Sequence, residues 1–261
     1  MKKKYKKIIE QFKIRSCIFE KSARWIKDEG LLRIHQDLAL LSGDELILDA
    51  CCGSGVVAEK LLYNGAKVLG VDLSLEMLKK ARKRIDTCIN AAVENLPFKD
   101  NTFDLVVCRQ AFHFLEIFKA IREFFRVTKT GGRIVISQIV PFGREDSSYL
   151  YKIHKKIQPA LKNFLFAEDL INILKKVGYR CIKKRSYYIE ESINDWIRLH
   201  GINKNLQKEL FTMFKDAPFN YKKIHSVRIL DGKIFEKMRW VILSAKKPKI
   251  ESNDKTTKRF H

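Results

Sequence analysis

Apolar positions recur along the chain in two rhythms, and the change of rhythm lays out the elements. Up to about residue 41 they fall at helical spacing: Ile8, Ile9, Phe12 and Ile14, then Trp25, Ile26, Leu31, Leu32, Leu38 and Leu41. Ser42-Gly43-Asp44 breaks that pattern. From there short continuous apolar runs alternate with amphipathic stretches. Strands are predicted at 46–50, 67–71, 88–93, 103–108 and 134–140. Helices are predicted at 56–63, 75–85 and 114–127, the second capped by Ser74 and the third closed by Gly131-Gly132. Strands that stay apolar on both faces and alternate with helices build a parallel sheet covered on both sides, with right-handed crossovers.

The second half is less regular. A helix is expected over 147–166, broken at Pro159, then a helix at 168–176 closed by Gly178 and a strand at 179–189. Helices follow at 191–200 and 205–214, then two strands, 224–230 and 235–245, around Asp231-Gly232. There is no internal repeat and no Pro- or Gly/Ser-rich linker. The expected fold class is α/β: a doubly wound, mostly parallel seven-stranded sheet with helices on both faces. Its expected organisation is an N-terminal helical extension at 1–43 and a main domain at 44–246, with lid elements around 141–166 and 190–220. A basic, flexible tail at 247–261 completes it.

Composition narrows the picture. Of 261 residues 46% are hydrophobic, enough to bury a full core and to exclude global disorder. No apolar stretch approaches the roughly 18 residues of a membrane span. The basic start, Met1-Lys2-Lys3-Lys4-Tyr5-Lys6-Lys7, lacks the apolar core and cleavage site of a signal peptide, so the default location is cytoplasmic. Six cysteines, at 17, 51, 52, 88, 108 and 181, form no C-x-x-C pair and no zinc spacing. Four lie in or beside apolar runs and read as small buried hydrophobes in a reducing compartment. The net charge is +22, carried mostly by lysine spread along the chain and dense at 2–7 and 246–258. That pattern describes solvated tails with a weak general attraction to polyanions.

The most informative constellation is Ile47-Leu48-Asp49-Ala50-Cys51-Cys52-Gly53-Ser54-Gly55, followed by Gly70-Val71-Asp72-Leu73-Ser74. A strand enters a glycine turn and then a helix, where backbone can approach a ligand and amide N–H groups point at it. An acid ending the next strand suits the two hydroxyls of a ribose. Gly53-x-Gly55-x-x-Ala58 also fits a dinucleotide fingerprint. Asp49, four residues before the first glycine, argues against that assignment. A carboxylate there suits a ligand with a free ammonium group and repels a pyrophosphate.

On these residues the chain resembles the class I S-adenosylmethionine-dependent methyltransferases over about 44–140. The resemblance implies that Asp49, with Ala50 and Cys51, lies near the methionine end, that Gly53 and Gly55 pass the ligand backbone, and that Asp72 holds the ribose. Leu73 would pack on the adenine. A third segment, Ala92-Val93-Glu94-Asn95-Leu96-Pro97-Phe98, is similar to the branch that includes ubiquinone and menaquinone methyltransferases. That branch usually has an Asp, for the adenine amino group, where this chain has Ala92. Backbone groups at Val93 and Glu94 remain to serve the adenine edge. The segment Ser192-Ile193-Asn194-Asp195-Trp196 resembles the C-terminal helical part of the same branch.

The fourth strand ends in Val107-Cys108-Arg109-Gln110-Ala111-Phe112-His113-Phe114, where ligands of open α/β sheets bind. The run is similar to a Cys-Arg-x-Ala-x-His-His run of that branch, with Phe114 in place of the second His. Methyl transfer is an in-line displacement whose neutral leaving group needs no acid, so alignment supplies most of the catalysis. His113 is the candidate base if the acceptor must lose a proton, and otherwise orders its loop. Arg109 is the candidate to bind an acidic group of the ligand or acceptor, or a carboxylate of the site. Phe142, Tyr149, Tyr151, His154 and Phe164 form either an aromatic lid or ordinary packing.

The expected function is therefore methyl transfer from S-adenosylmethionine to a small-molecule acceptor, with no metal and an oligomeric state left open. A nucleic-acid methyltransferase is the alternative that the charge suggests. Its Asn/Asp-Pro-Pro-Tyr/Phe motif is absent after strand four, and no Pro precedes a Cys. A catalytically silent S-adenosylmethionine-binding protein is the other.

Overall fold

The computed structural model describes residues 5–21, 24–62, 65–198 and 202–249. The far ends of two predicted helices, at Tyr63 and His200, and most of the two basic terminal segments, lie outside these residues.

The strands are β1 Leu46–Ala50, β2 Lys67–Asp72, β3 Thr87–Asn90, β4 Phe103–Arg109, β5 Thr128–Ile139, β6 Arg180–Ser192, β7 Arg228–Leu230 and β8 Lys233–Lys246. They form one sheet in the order β3-β2-β1-β4-β5-β8-β6, with β7 paired to β8. The first five are mutually parallel, and β8 runs antiparallel to β5, β6 and β7. The expected seven-strand sheet is thus the continuous path, and β7 is a short eighth arm hairpinned onto β8. The helices are α1 Lys6–Ser16, α2 Glu29–Ala39, α3 Val56–Leu61, α4 Leu75–Ala81, α5 Ile117–Val127, α6 Arg144–Ile157, α7 Ala167–Val177, α8 Ile193–Arg198, α9 Lys204–Lys215 and α10 Phe219–Ile224.

Successive residues of the central strands point to opposite faces, and both faces are apolar. Ile47, Leu105 and Val107 join the core that α2, α3, α4 and α8 cover. Leu48, Val106 and Cys108 join the core under α5 and α7. A strand buried on both sides reads as a continuous apolar run, which is why the sequence located β1 and β4 closely. Asp28 caps α2 by accepting the Leu31 amide at 2.8 Å, and Ser74 caps α4 by accepting the Met77 amide at 3.3 Å.

Several boundaries differ from expectation, among them the helix expected at 75–85, which stops at Ala81, and the one expected over 147–166, which runs Arg144–Ile157; three others bear on the sheet. Helix α5 ends at Val127, and Gly131-Gly132 lie inside β5 instead of closing the helix. The β4–β5 register jumps from Phe103↔Thr128 to Leu105↔Arg133 there, so the glycines make a bulge. Gly131 has φ +79°, and a Cβ on Gly132 would stand 2.9 Å from the Asp104 carbonyl oxygen. The third strand stops at Asn90, whose amide turns back to donate to the carbonyls of Asp72 (3.0 Å) and Leu73 (2.9 Å). The expected strand at 224–230 divides into the end of α10 and β7.

The strand order reverses between β1 and β4, so the carboxyl ends of those strands diverge and leave a crevice. Asp49 and Asp72, near the ends of β1 and β2, and Arg109, ending β4, stand at its rim. Among the described residues no helix is long and apolar enough to cross a membrane, and no cluster of metal-binding side chains occurs.

Candidate functional site

The turn after β1 is built from backbone that favours glycine. Cys51, Gly53 and Gly55 have φ of 59°, 55° and 82°. Gly53 donates its amide to Asp72 Oδ2 at 2.9 Å, and Asp72 Oδ1 accepts the Ser74 amide at 2.8 Å. The glycine turn and the acid of the second strand are therefore one hydrogen-bonded unit. Each Asp72 oxygen retains a further lone pair for a ligand hydroxyl. Gly55 and Ala50 sit behind this turn: a Cβ on Gly55 would lie 3.1 Å from the Ala81 backbone, so Gly55 permits the close approach of α4 and is not on the cavity wall.

A cavity of about 920 Å³, counted to its open mouth, is lined by Gly53, Asp72, Leu73 and Val93 and also by His113, Gln158 and Trp196. A smaller one of about 350 Å³ reaches Asp49 and Ser54, and shares Cys51, Gly53 and Arg109 with the first. Asp49 accepts the Ala58 amide at 3.1 Å. Burial pushes its pKa up to about 7, against the pull of the Arg109 charge. Arg109 donates to the Ile26 carbonyl at 3.0 Å, and its guanidinium carbon lies 5.4 Å from the Trp25 ring centre. Burial brings its pKa down to about 10, so it stays charged at neutral pH. Arg109 Nη1 and Ser54 Oγ are buried with no hydrogen-bond partner among the described residues.

His113 is a buried, neutral ring. Gln138 Nε2 lies 3.0 Å from Nδ1, and Gln158 Oε1 lies 3.2 Å from Nε2. Burial, reinforced by His154, lowers its pKa to about 3. Both ring nitrogens are engaged, so this arrangement holds His113 as a polar strut joining β5 to the end of α6. Glu94 accepts the Glu116 amide (3.2 Å) and the Tyr5 hydroxyl (3.3 Å), while Val93 and Ala91 supply the apolar edge beside Leu73. Ala92 brings no carboxylate there. Hydrogen bonding to Cys108 and burial raise the Cys51 thiol well above its ordinary value, and burial does the same for Cys52, which makes both poor nucleophiles.

The cover of the cavity is not the segment the sequence suggested. Helix α1 lies across it, placing Ile8, Ile9, Phe12 and Arg15 on the wall. Phe12 packs edge-on against Phe114 with ring centres 5.5 Å apart. Of 141–166 only Gln158 reaches the wall, and Trp196 reaches it from 190–220. The suspected lid aromatics pack elsewhere. Tyr149 donates to the Met213 carbonyl at 2.6 Å, Phe142 stacks on Tyr188 at 5.9 Å, and Tyr151 and His154 meet Phe164. Aromatic density in a long segment does not distinguish a lid from a core. The signal for α1 was Ile8, Ile9 and Phe12 at helical spacing with Arg15 one turn on, a face with no other partner nearby in sequence.

A second polar cluster escaped the sequence. His225 bridges Asp146 (2.9 Å) and Glu236 (2.8 Å), all fully buried between α6, α10 and β8, and Tyr221 donates to Glu236. Asp146 also accepts the amides of Phe142 (2.9 Å) and Gly143 (2.7 Å), closing the start of α6.

With this geometry in hand, the comparisons with known proteins agree. Residues 48–136 match the family described as a methyltransferase domain. The demethylmenaquinone methyltransferase of Corynebacterium urealyticum is 41% identical over 107 residues, which cover 41% of this chain and 46% of that protein. The uncharacterized methyltransferase YcgJ of Bacillus subtilis is 25% identical over 76% of this chain and 85% of its own length. The crystal structure of YcgJ superimposes with a TM-score of 0.77 at 18% identity, over 84% of this chain and 98% of that one, which shows the shared fold. Over residues 48–136 the chain is thus similar to methyltransferase domains. The match spans about half the length of the corynebacterial relative.

Proposed function

We propose that the chain binds S-adenosylmethionine across the carboxyl ends of β1, β2 and β4 and transfers its methyl group to a small molecule. One observation carries the proposal. The buried Asp49 carboxylate, the unpartnered Arg109 Nη1 and the unpartnered Ser54 Oγ form a set that an amino-acid ammonium and carboxylate would satisfy. A buried polar group without a partner costs about 1–3 kcal/mol, so a ligand that completes the set gains that amount. Asp72 would take the ribose hydroxyls, and Leu73 and Val93 would flank the adenine.

The cofactor supplies a methyl carbon on a sulfonium, which an acceptor lone pair takes in line while the C–S electron pair returns to sulfur. The chain's own part is alignment and exclusion of water. Ile8, Ile9 and Phe12 roof the acceptor end, and the 141–166 and 190–220 segments close it through Gln158 and Trp196. The roof suits a small acceptor better than a base presented on a polynucleotide. His113, with both nitrogens engaged, positions the acceptor wall, and it serves as a base only by releasing Gln158.

Mass spectrometry of ligand co-purifying with the protein, followed by methyl transfer to fractionated cell metabolites, tests the reading. S-adenosylmethionine or S-adenosylhomocysteine is expected in the first step and a methylated small molecule in the second. His113→Ala is expected to lower turnover about 10-fold or more while changing cofactor affinity by less than about 2-fold. If neither quantity moves, His113 has no part in catalysis.

A further inference from the structure

Gln110 follows Arg109 at the carboxyl end of β4 and has φ +53°, a left-handed backbone that a residue other than glycine keeps only where its surroundings hold it. Two contacts with β5 do so. The Gln110 amide donates to the Ser137 carbonyl at 2.8 Å, and its side-chain Oε1 accepts the Ile139 amide at 2.8 Å. A backbone N–H only donates, so the second contact settles which end of the carboxamide is oxygen. Nε2 is then the free end, with no hydrogen-bond partner among the described residues. Gln110 lines the main cavity, as do the apolar Ala111, Phe114, Leu115 and Ile139. His113 and Gln158, also on the wall, lie 3.2 Å apart and engage each other. In the sheet β5 lies across β4 from β1 and β2, whose ends carry the carboxylates assigned to the cofactor. Its tie to Ile139 therefore draws the Gln110 carboxamide away from the cofactor and toward the β5 side of the cavity.

We propose that Gln110 is a specificity-determining residue of the acceptor pocket, and that its Nε2–H donates to a carbonyl-type oxygen on an otherwise apolar acceptor. This assignment rests on the methyltransferase reading and deepens it. An apolar pocket gains orientation and selectivity from a few fixed polar groups. A donor already held in place loses little freedom when the acceptor arrives. An acceptor without the oxygen would leave the N–H unpaired once water is excluded, and a site built around such a bond rejects it. The bond moves no proton. It fixes how the acceptor lies, so that its nucleophilic atom stands in line with the methyl group.

Equilibrium dialysis of the full chain at pH 8, with and without saturating S-adenosylhomocysteine, compares two probes of one skeleton, 1-indanone with a carbonyl and indane without. The readout is the ratio of their dissociation constants in wild type and variant, in which their different hydration cancels. Gln110→Glu keeps an oxygen for the Ile139 amide and replaces only the donor. It is expected to shift the ratio against 1-indanone by about 5-fold or more, the worth of one hydrogen bond, with the melting temperature and S-adenosylhomocysteine affinity retained. Gln110→Met, which loses the Ile139 contact as well, should shift the ratio the same way and melt earlier. A ratio unchanged in Gln110→Glu would leave Gln110 a purely structural part and overturn the proposal. So would failure of both probes to bind the wild type, or weakened S-adenosylhomocysteine binding in Gln110→Glu with the ratio intact, which would give Gln110 to the cofactor. Calorimetry of S-adenosylhomocysteine into the wild type reads the cofactor site separately. No binding there, with the ratio shift present, would sink the methyltransferase reading and leave a pocket for carbonyl compounds.

Discussion

His225→Leu is expected to destabilise the fold by about 3–5 kcal/mol, the usual cost of removing one partner from a buried ionic set. Asp146 and Glu236 are both fully buried, and His225 lies between them. Burial alone would lower the His225 pKa, but the two carboxylates outweigh it and hold it at about 9. The folded value therefore lies above the ordinary one of 6.5. Its contribution to stability is complete below about pH 6.5 and is lost as pH rises through about 9. A shift of that size corresponds to an order of 3 kcal/mol. Urea unfolding of the wild type from pH 6 to pH 10 should show this decline, and the leucine variant should lack it. A variant as stable as the wild type, or a decline that persists in it, would mean that the cluster contributes no net ionic stability. The cluster also fixes the first turn of α6, whose far end delivers Gln158 to the cavity, so loosening of that end should accompany the loss.

Asp49→Asn is expected to weaken S-adenosylmethionine binding by about 2–5 kcal/mol, the cost of truncating one member of a buried charge pair. It should also remove a pH dependence. Burial raises the Asp49 pKa to about 7 in the free protein, so a large fraction is protonated below that pH. An ammonium ligand takes the ionised form. Affinity should therefore increase between about pH 6 and pH 7.5, with release of a proton on binding near pH 6.5. In the absence of ligand the sign for folding is opposite. A carboxyl whose folded pKa is raised stabilises the protein fully only below its ordinary value of 3.8, and that contribution is lost as pH rises through about 7. Titrations in buffers of different ionisation enthalpy measure the released proton directly. No proton release by the wild type, or the same release by Asp49→Asn, would place the ammonium elsewhere.

What the sequence revealed and what it hid divide along the range of the interactions. The turn at 51–55 and the acid at 72 were legible because their constraints are local. Glycine permits the positive φ that a strand-to-helix turn needs, and a carboxylate at a strand end has few roles. Their direct hydrogen bond, Gly53 N–H to Asp72, was not read from the spacing and emerges only in the fold. The roof was not legible. Ile8, Ile9 and Phe12 have the periodicity of any amphipathic helix, and only the tertiary fold brings them over a site that begins about forty residues later. The His225 cluster was hidden for the same reason, since Asp146, His225 and Glu236 meet only when α6, α10 and β8 pack. Gly131-Gly132 was misassigned because a helix end and a strand bulge both use a left-handed glycine. The aromatics of 141–166 carried no directional information, and packing claimed them.

The proposed cradle for adenosine with a methionine tail consists of Gly53, Asp49 and Asp72. Titration calorimetry of S-adenosylhomocysteine into the wild type and into Asp72→Ala tests it. Micromolar binding, weakened by about 1–3 kcal/mol when Asp72 is removed, is the predicted result, because the variant loses the charge-assisted hydrogen bonds to the ribose. No binding heat at about 1 mM ligand, where even a weak site of about 4 kcal/mol would be half filled, or a dissociation constant indifferent to Asp72, would contradict it.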